Sequence, residues 1–134
     1  MRRGVVTEQG GAQVNDGPIE LDRRPGRIEV SQLAIARAAS RVVLECYGVV
    51  GIANRRLKHG KAELLEDDSY HRGIVISTES DHLVVDVYVV VEYGTRIAEV
   101  ARNVMETVRA RLERMLGSTA VRVNVNVQGL RISS

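Results

Sequence analysis

The sequence contains no phenylalanine and no tryptophan, and only four tyrosines in 134 residues. Any core must be built from Val, Ile, Leu, Ala and Met. The aromatic platforms that stack single-stranded nucleic acid are scarce as well. There is one cysteine, Cys46, so a disulfide framework is excluded and a reducing compartment fits. No apolar run reaches the roughly 18 residues that cross a bilayer. The N-terminus, "MRRGVVTEQGGAQ", lacks the apolar stretch and cleavage pattern of a signal peptide, so a cytoplasmic protein is expected. Charge of one sign is also lacking. The net charge of +2 comes from 19 basic and 17 acidic residues, unlike the one-sided field of a dedicated nucleic-acid binder.

What is present suits one domain. Residues 1–26 carry Gly4, Gly10, Gly11, Gly17, Pro18 and Pro25 among mixed charges, with no apolar period, and are expected to be a disordered tail. The ordered domain should run over 27–131. Ser31 is a suitable N-cap for a helix whose Leu33, Ala36, Ala39 and Val43 share a face, with Ile35 and Val42 at its edge. Gly48 suits the C′ position after it, and Val49–Ala53 reads as a short strand. Between residues 54 and 72 the period disappears. Arg55, Arg56, Lys58 and Lys61 are followed by Glu63, Glu66, Asp67 and Asp68, the pattern of an exposed excursion, with Leu64 and Leu65 suited to tether it through one helical turn.

"GIVIST" (Gly73–Thr78) and "HLVVDVYVVVE" (His82–Glu92) form a natural antiparallel pair. The helix that follows carries a stripe of Ile97, Val100, Ala101, Val104, Val108, Leu112 and Met115, with Thr95 as its expected N-cap and Gly117 at its end. In the last strand, Val121, Val123, Val125 and Val127 alternate with Arg122, Asn124, Asn126 and Gln128. The order α-β-β-β-α-β, with one apolar stripe per helix, predicts an α/β fold of two layers. A mixed sheet of about four strands should carry both helices on one face, and the unit from His82 to Gln128 should be a right-handed parallel crossover.

The residues offer little catalytic chemistry. Cys46 lies in an apolar segment without a basic neighbour. His59, His71 and His82 have no metal-site spacing, and no phosphate-binding glycine motif occurs. Asp86 and Glu92 share a strand face but lie about 20 Å apart at strand rise, too far to act on one bond. Glu92-Tyr93-Gly94 ends a strand just before a helix N-terminus, where ligands often bind. Capping chemistry explains the same residues: Gly94 for a tight turn, Thr95 for the cap, and Glu92 and Glu99 against the helix dipole.

"VVDVYVVVEYGTRIAEVARNVMETVRARLE", then "VRVNVNVQGL", preceded by "GRIEVSQLAIARAASRVVLECYGVVGI", closely resembles the alkaline shock protein family of bacteria, the general-stress Gls family. The resemblance covers about residues 26–131, and its motif positions are Glu92, Tyr93, Gly94, Asn103, Asn124, Gln128 and Gly129. Ala98, Met105 and Asn126 depart from it, standing where proline, glutamine and histidine are common. The resemblance implies a small α/β domain without catalytic activity or cofactor. It also implies a role in cell-envelope stress and homeostasis, with a membrane anchor protein as partner and a place at the inner face of the cell membrane.

The expected function is therefore a non-enzymatic interaction module that meets a protein partner or a second copy of itself as a homo-oligomer. Its surface would be the polar sheet face: Asp86, Tyr88, Glu92 and Tyr93 with Arg122, Asn124, Asn126 and Gln128. The alternatives are a small-ligand site at Glu92–Arg96 and, less favoured, nucleic-acid binding through Arg55–Lys61. No metal, no direct membrane insertion and no nucleic-acid partner are expected.

Overall fold

The computed structural model describes residues 4–5, 19–23, 26–117 and 120–132. Its elements are strands β1 (Gly4–Val5), β2 (Ile19–Arg23) and β3 (Gly26–Val30), helix α1 (Gln32–Glu45), strand β4 (Val49–Ile52), a 3₁₀ helix (Asp67–Arg72), strands β5 (Ile74–Glu79) and β6 (His82–Glu92), helix α2 (Ile97–Leu116) and strand β7 (Ala120–Arg131). From α1 onward the long elements follow the expected order.

Strand β6 organises the molecule. It pairs with β7 in parallel from His82↔Ala120 to Glu92↔Arg131. On its other edge two strands share its length: β5 pairs antiparallel with residues 82–87 and β4 with 89–91. The two meet at Tyr88, whose N–H donates to the Gly73 carbonyl (2.9 Å) and whose carbonyl accepts from the Ala53 N–H (2.8 Å). A strand buried on both faces reads as a nearly continuous apolar run, and "LVVDVYVVV" does. The sheet is mixed, as expected, and β1 pairs antiparallel along β7 through Gly4↔Val127 and Val5↔Asn126. The expected disordered tail thus contains β1 and most of the β2–β3 hairpin, strands too short to show a period; the rest of that expectation falls outside the described residues.

Both helices pack on one face. Leu83, Val85, Val87, Val89 and Val91 of β6 and Val121, Val123, Val125 and Val127 of β7 join the buried faces of α1 and α2 in one core. Each buried valine contributes about 1.5–3 kcal/mol as an upper estimate, so small β-branched residues suffice without large aromatics. The buried stripe of α1 is Ile35, Ala36, Ala39, Val42 and Val43, and Leu33 is exposed instead of buried. In α2, Leu116 closes the stripe rather than Met115, because 116 completes the i,i+4 step from Leu112.

The caps follow local chemistry. The Ser31 hydroxyl accepts from the Leu33 N–H at 3.1 Å, as expected. Thr95 does not cap α2. Its hydroxyl donates to the Glu92 carbonyl (2.7 Å), and Arg96 takes the N-cap position without a side-chain bond. At the end of α1 the cap is Cys46, so Gly48 (φ 87°) lies one residue beyond the expected C′ position.

The excursion is more organised than its composition suggests. Isolated bridges Ala53↔Leu64 and Lys58↔Lys61 fold it back on itself, and the Leu65 N–H donates to the Ile52 carbonyl (2.8 Å). Leu65 and Tyr70 pack against the core. The regular turn expected at Leu64–Leu65 occurs later, at Asp67–Arg72.

Candidate functional site

The structure brings the polar residues of β6 and β7 together but does not leave them open. Asp86 lies opposite Asn124 and Tyr88 opposite Asn126, on the side away from the helices. Asp86, Asn124, Asn126 and Gln128 are nevertheless buried and Tyr88 is half-buried. This corrects the expectation of a free polar face. Asn124 donates to the Asp86 carboxylate at 2.9 Å, supplying the partner that a buried carboxylate requires.

Gln128 sits at a bulge where the register with β6 shifts between Val89 and Val90. The extra residue changes the phase of the strand, turning Leu130 onto the core. The Gln128 amide donates to the carbonyls of Asn54 and Arg55, both at 3.0 Å, and fastens the start of the excursion to the sheet. Of the expected surface, Arg122 is exposed and paired with Glu79 at 3.6 Å, Glu92 is half-buried, and Tyr93 is 64% exposed.

Glu92-Tyr93-Gly94 is a three-way joint. The Glu92 N–H donates to the Gly48 carbonyl (2.7 Å), and the Tyr93 N–H to the Arg131 carbonyl (2.8 Å). The segment thereby ties the turn after α1 to the end of β7. Gly94 has φ 94°, the positive value that favours glycine. Beyond it lies a concave surface of about 470 Å³ lined by Tyr47, Gly94, Thr95, Arg96, Glu99, Val100 and Asn103. Tyr47 is 76% exposed, so two of the four tyrosines stand in water at this end, with Ile97 also exposed. Arg96 and Glu99 form an exposed ion pair at 3.6 Å, of small energetic weight. Sequence patterning passes over Tyr47 because it falls just past the end of α1. The available signal is the Tyr-Gly step, which occurs at both Tyr47-Gly48 and Tyr93-Gly94.

Among the described residues no three His, Cys, Asp or Glu side chains gather as a metal site. Cys46 is buried, and its thiol bonds to the Val42 carbonyl at 3.3 Å. Burial pushes the thiol up from its ordinary value, outweighing a hydrogen bond from Thr107 that lowers it. We therefore expect slow reaction with Ellman's reagent at pH 8 in the native protein and fast reaction in urea. Because the folded thiol keeps its proton longer than the unfolded one, this group's contribution to stability is full below the unfolded thiol's value. It is lost as pH rises from there through the folded one. Fast native labelling would contradict the buried placement.

Residues 20–132 match the model of the alkaline shock protein 23 family, described as having a cell envelope-related function. The chain is 36% identical over 117 residues to the uncharacterized protein YloU of Bacillus subtilis, covering 87% of this chain and 98% of that protein. It is 36% identical over 115 residues to the uncharacterized protein Spy1614 of Streptococcus pyogenes serotype M6, covering 85% and 95%. A second Bacillus subtilis protein, the uncharacterized YqhY, is 25% identical over 113 residues, covering 84% of this chain and 83% of that one. No solved structure matches with significance. Among the described residues no helix is long and apolar enough to cross a membrane. With the joint at Glu92–Gly94 and the β6–α2–β7 crossover in place, the chain belongs to the family of alkaline shock proteins, whose function is cell envelope-related.

Proposed function

We propose that the protein is a non-enzymatic interaction module that serves cell-envelope homeostasis under stress. It works from the cytoplasmic side of the membrane by binding a protein partner that anchors it there. The observation that carries this reading is the exposure of Tyr47 and Tyr93, 76% and 64%, at the end of the molecule where Ile97 is also exposed. Tyrosine brings large contact area, little conformational entropy to lose and a polar tip, which is why it is enriched among residues that dominate binding energy. The main-chain bonds of Glu92 and Tyr93 to Gly48 and Arg131 hold this end rigid, so little ordering cost remains for binding.

The test is a Tyr47→Ser/Tyr93→Ser variant compared with the parent in a pull-down from membrane extracts, alongside light scattering. Both side chains are exposed, so folding should be unaffected. Loss of each interfacial tyrosine should weaken capture by about 2 kcal/mol, roughly thirtyfold. Undiminished capture by the double variant would sink the reading. A second reading, small-ligand binding in the concave surface beside Gly94–Arg96, draws on its polar groups Thr95, Asn103 and Glu99. It predicts a soluble ligand that protects Asn103, with no protein retained.

A further inference from the structure

A second cavity, of about 520 Å³, opens on another side of the fold, where the two ends of the excursion meet. The chain leaves β4 at Asn54 and returns at Gly73, and Gly73 packs directly against the Ala53 carbonyl. This closure brings Arg55 and Arg56 to the same cavity as His71 and Arg72, although 14 residues separate the two pairs. Among residues 31–117 and 120–132 no carboxylate lines that cavity, and none of the four basic side chains has an ion pair there. All four are exposed. Like charges gathered in one place repel one another, at a cost that an anion would reduce.

Two further donors converge on the same place. The Gln32 amide nitrogen is buried without a hydrogen-bond partner, and Gln32 lines the cavity. A buried amide N–H left unpaired is destabilising, so this amide is short of an acceptor. The N-terminal end of α1 also faces it, a 14-residue helix with no acidic residue in its first turn. No acidic side chain of that turn offsets its partial positive charge. The floor is apolar, made by Leu33, Ala36, Ile74 and Ile76.

We propose that this cavity binds a phosphate monoester, its phosphoryl group held by Arg55, Arg56 and Arg72 with Gln32, and its organic part lying on the apolar floor. Three guanidinium forks and an amide offer more donors than one carboxylate can accept. A dianionic phosphoryl group presents three terminal oxygens, and arginine matches that geometry in bidentate fashion. The ester is either a soluble metabolite or the headgroup of a phosphomonoester lipid, and the chemistry of recognition is the same.

The test titrates glycerol 3-phosphate into the full chain and follows backbone amide shifts by NMR. Succinate serves as a control of equal charge. The Arg56→Gln/Arg72→Gln variant is compared with Lys58→Gln/Lys61→Gln, which removes the same charge from the tip of the excursion. The expected result is shifts confined to residues 32–36, 54–56 and 71–76, with binding weakened at least about tenfold in the arginine variant and little changed in the lysine variant. Circular dichroism checks that both variants fold. Vesicles of phosphatidylcholine with and without phosphatidic acid then separate the sources. Sedimentation with phosphatidic acid that glycerol 3-phosphate competes away identifies a lipid headgroup, and glycerol 3-phosphate binding without sedimentation identifies a soluble ester. Equal binding of succinate, equal loss in both variants, tighter binding of a glutamate-rich peptide, or no local shift would overturn the proposal.

Discussion

Replacing Gly73 by alanine should cost about 3 kcal/mol, the upper end of what overpacking usually does, and so remove much of the stability of a small domain. A Cβ at this position would press into the Ala53 carbonyl oxygen and lie 2.6 Å from Ile52 Cγ2. Neither can yield cheaply. Ala53 and Ile52 are fully buried, and the Ala53 N–H is bonded to the Tyr88 carbonyl. Gly73 is itself held on both sides, donating to Tyr70 and accepting from Tyr88, both at 2.9 Å. Its φ of −108° is ordinary, so the cost is steric rather than conformational. Gly94→Ala is the control. It has open space around the added carbon but a positive φ, and should lose only about 1–2 kcal/mol. Urea unfolding followed by circular dichroism measures both, and a Gly73 variant as stable as the parent would contradict the close approach of β4 and β5.

Gly48→Ala should be comparably damaging, at about 2–4 kcal/mol, because two costs add there. Gly48 has φ 87°, and an added Cβ would lie 2.6 Å from Val100 Cγ2, on the buried face of α2. The steric part should respond to its partner. Val100→Ala opens the space, so the double variant should be at least about 1 kcal/mol more stable than the sum of the single changes implies. Strict additivity would mean that α2 does not rest on this turn. The position matters beyond packing, because the Gly48 carbonyl accepts from Glu92 and sets the end of the molecule where Tyr47 and Tyr93 are exposed.

The long elements could be read from the sequence because their periods are nearly unbroken. The valines of β7 and the stripe of α2 each have one solution for which side faces the core. The surfaces could not. Alternation in "VRVNVNVQ" says that Asn124, Asn126 and Gln128 face away from the valines, and that holds. It does not say whether water or more of the chain lies there. Gln128 reaching the Asn54 and Arg55 carbonyls depends on contacts across 74 and 73 residues, which no local period encodes. The basic cavity was hidden for the same reason. Arg55-Arg56 and His71-Arg72 read as separate charges in a polar stretch until Gly73 closes the loop. Thr95 reads as a cap in the sequence because it stands before a helix. The tight turn at Gly94 diverts its hydroxyl to the Glu92 carbonyl instead.

If the protein acts by binding a protein partner through the end bearing Tyr47 and Tyr93, that contact should be trapped by site-specific photocrosslinking in living cells. A photoreactive residue is placed at position 47, 93 or 109. Arg109 is exposed on α2 and serves as the comparison site. The expected outcome is one discrete adduct of the same size from positions 47 and 93, recovered with the membrane fraction, and none from 109. Adducts of equal yield from all three positions, or none from 47 and 93, would show that this end of the molecule is not where the partner binds.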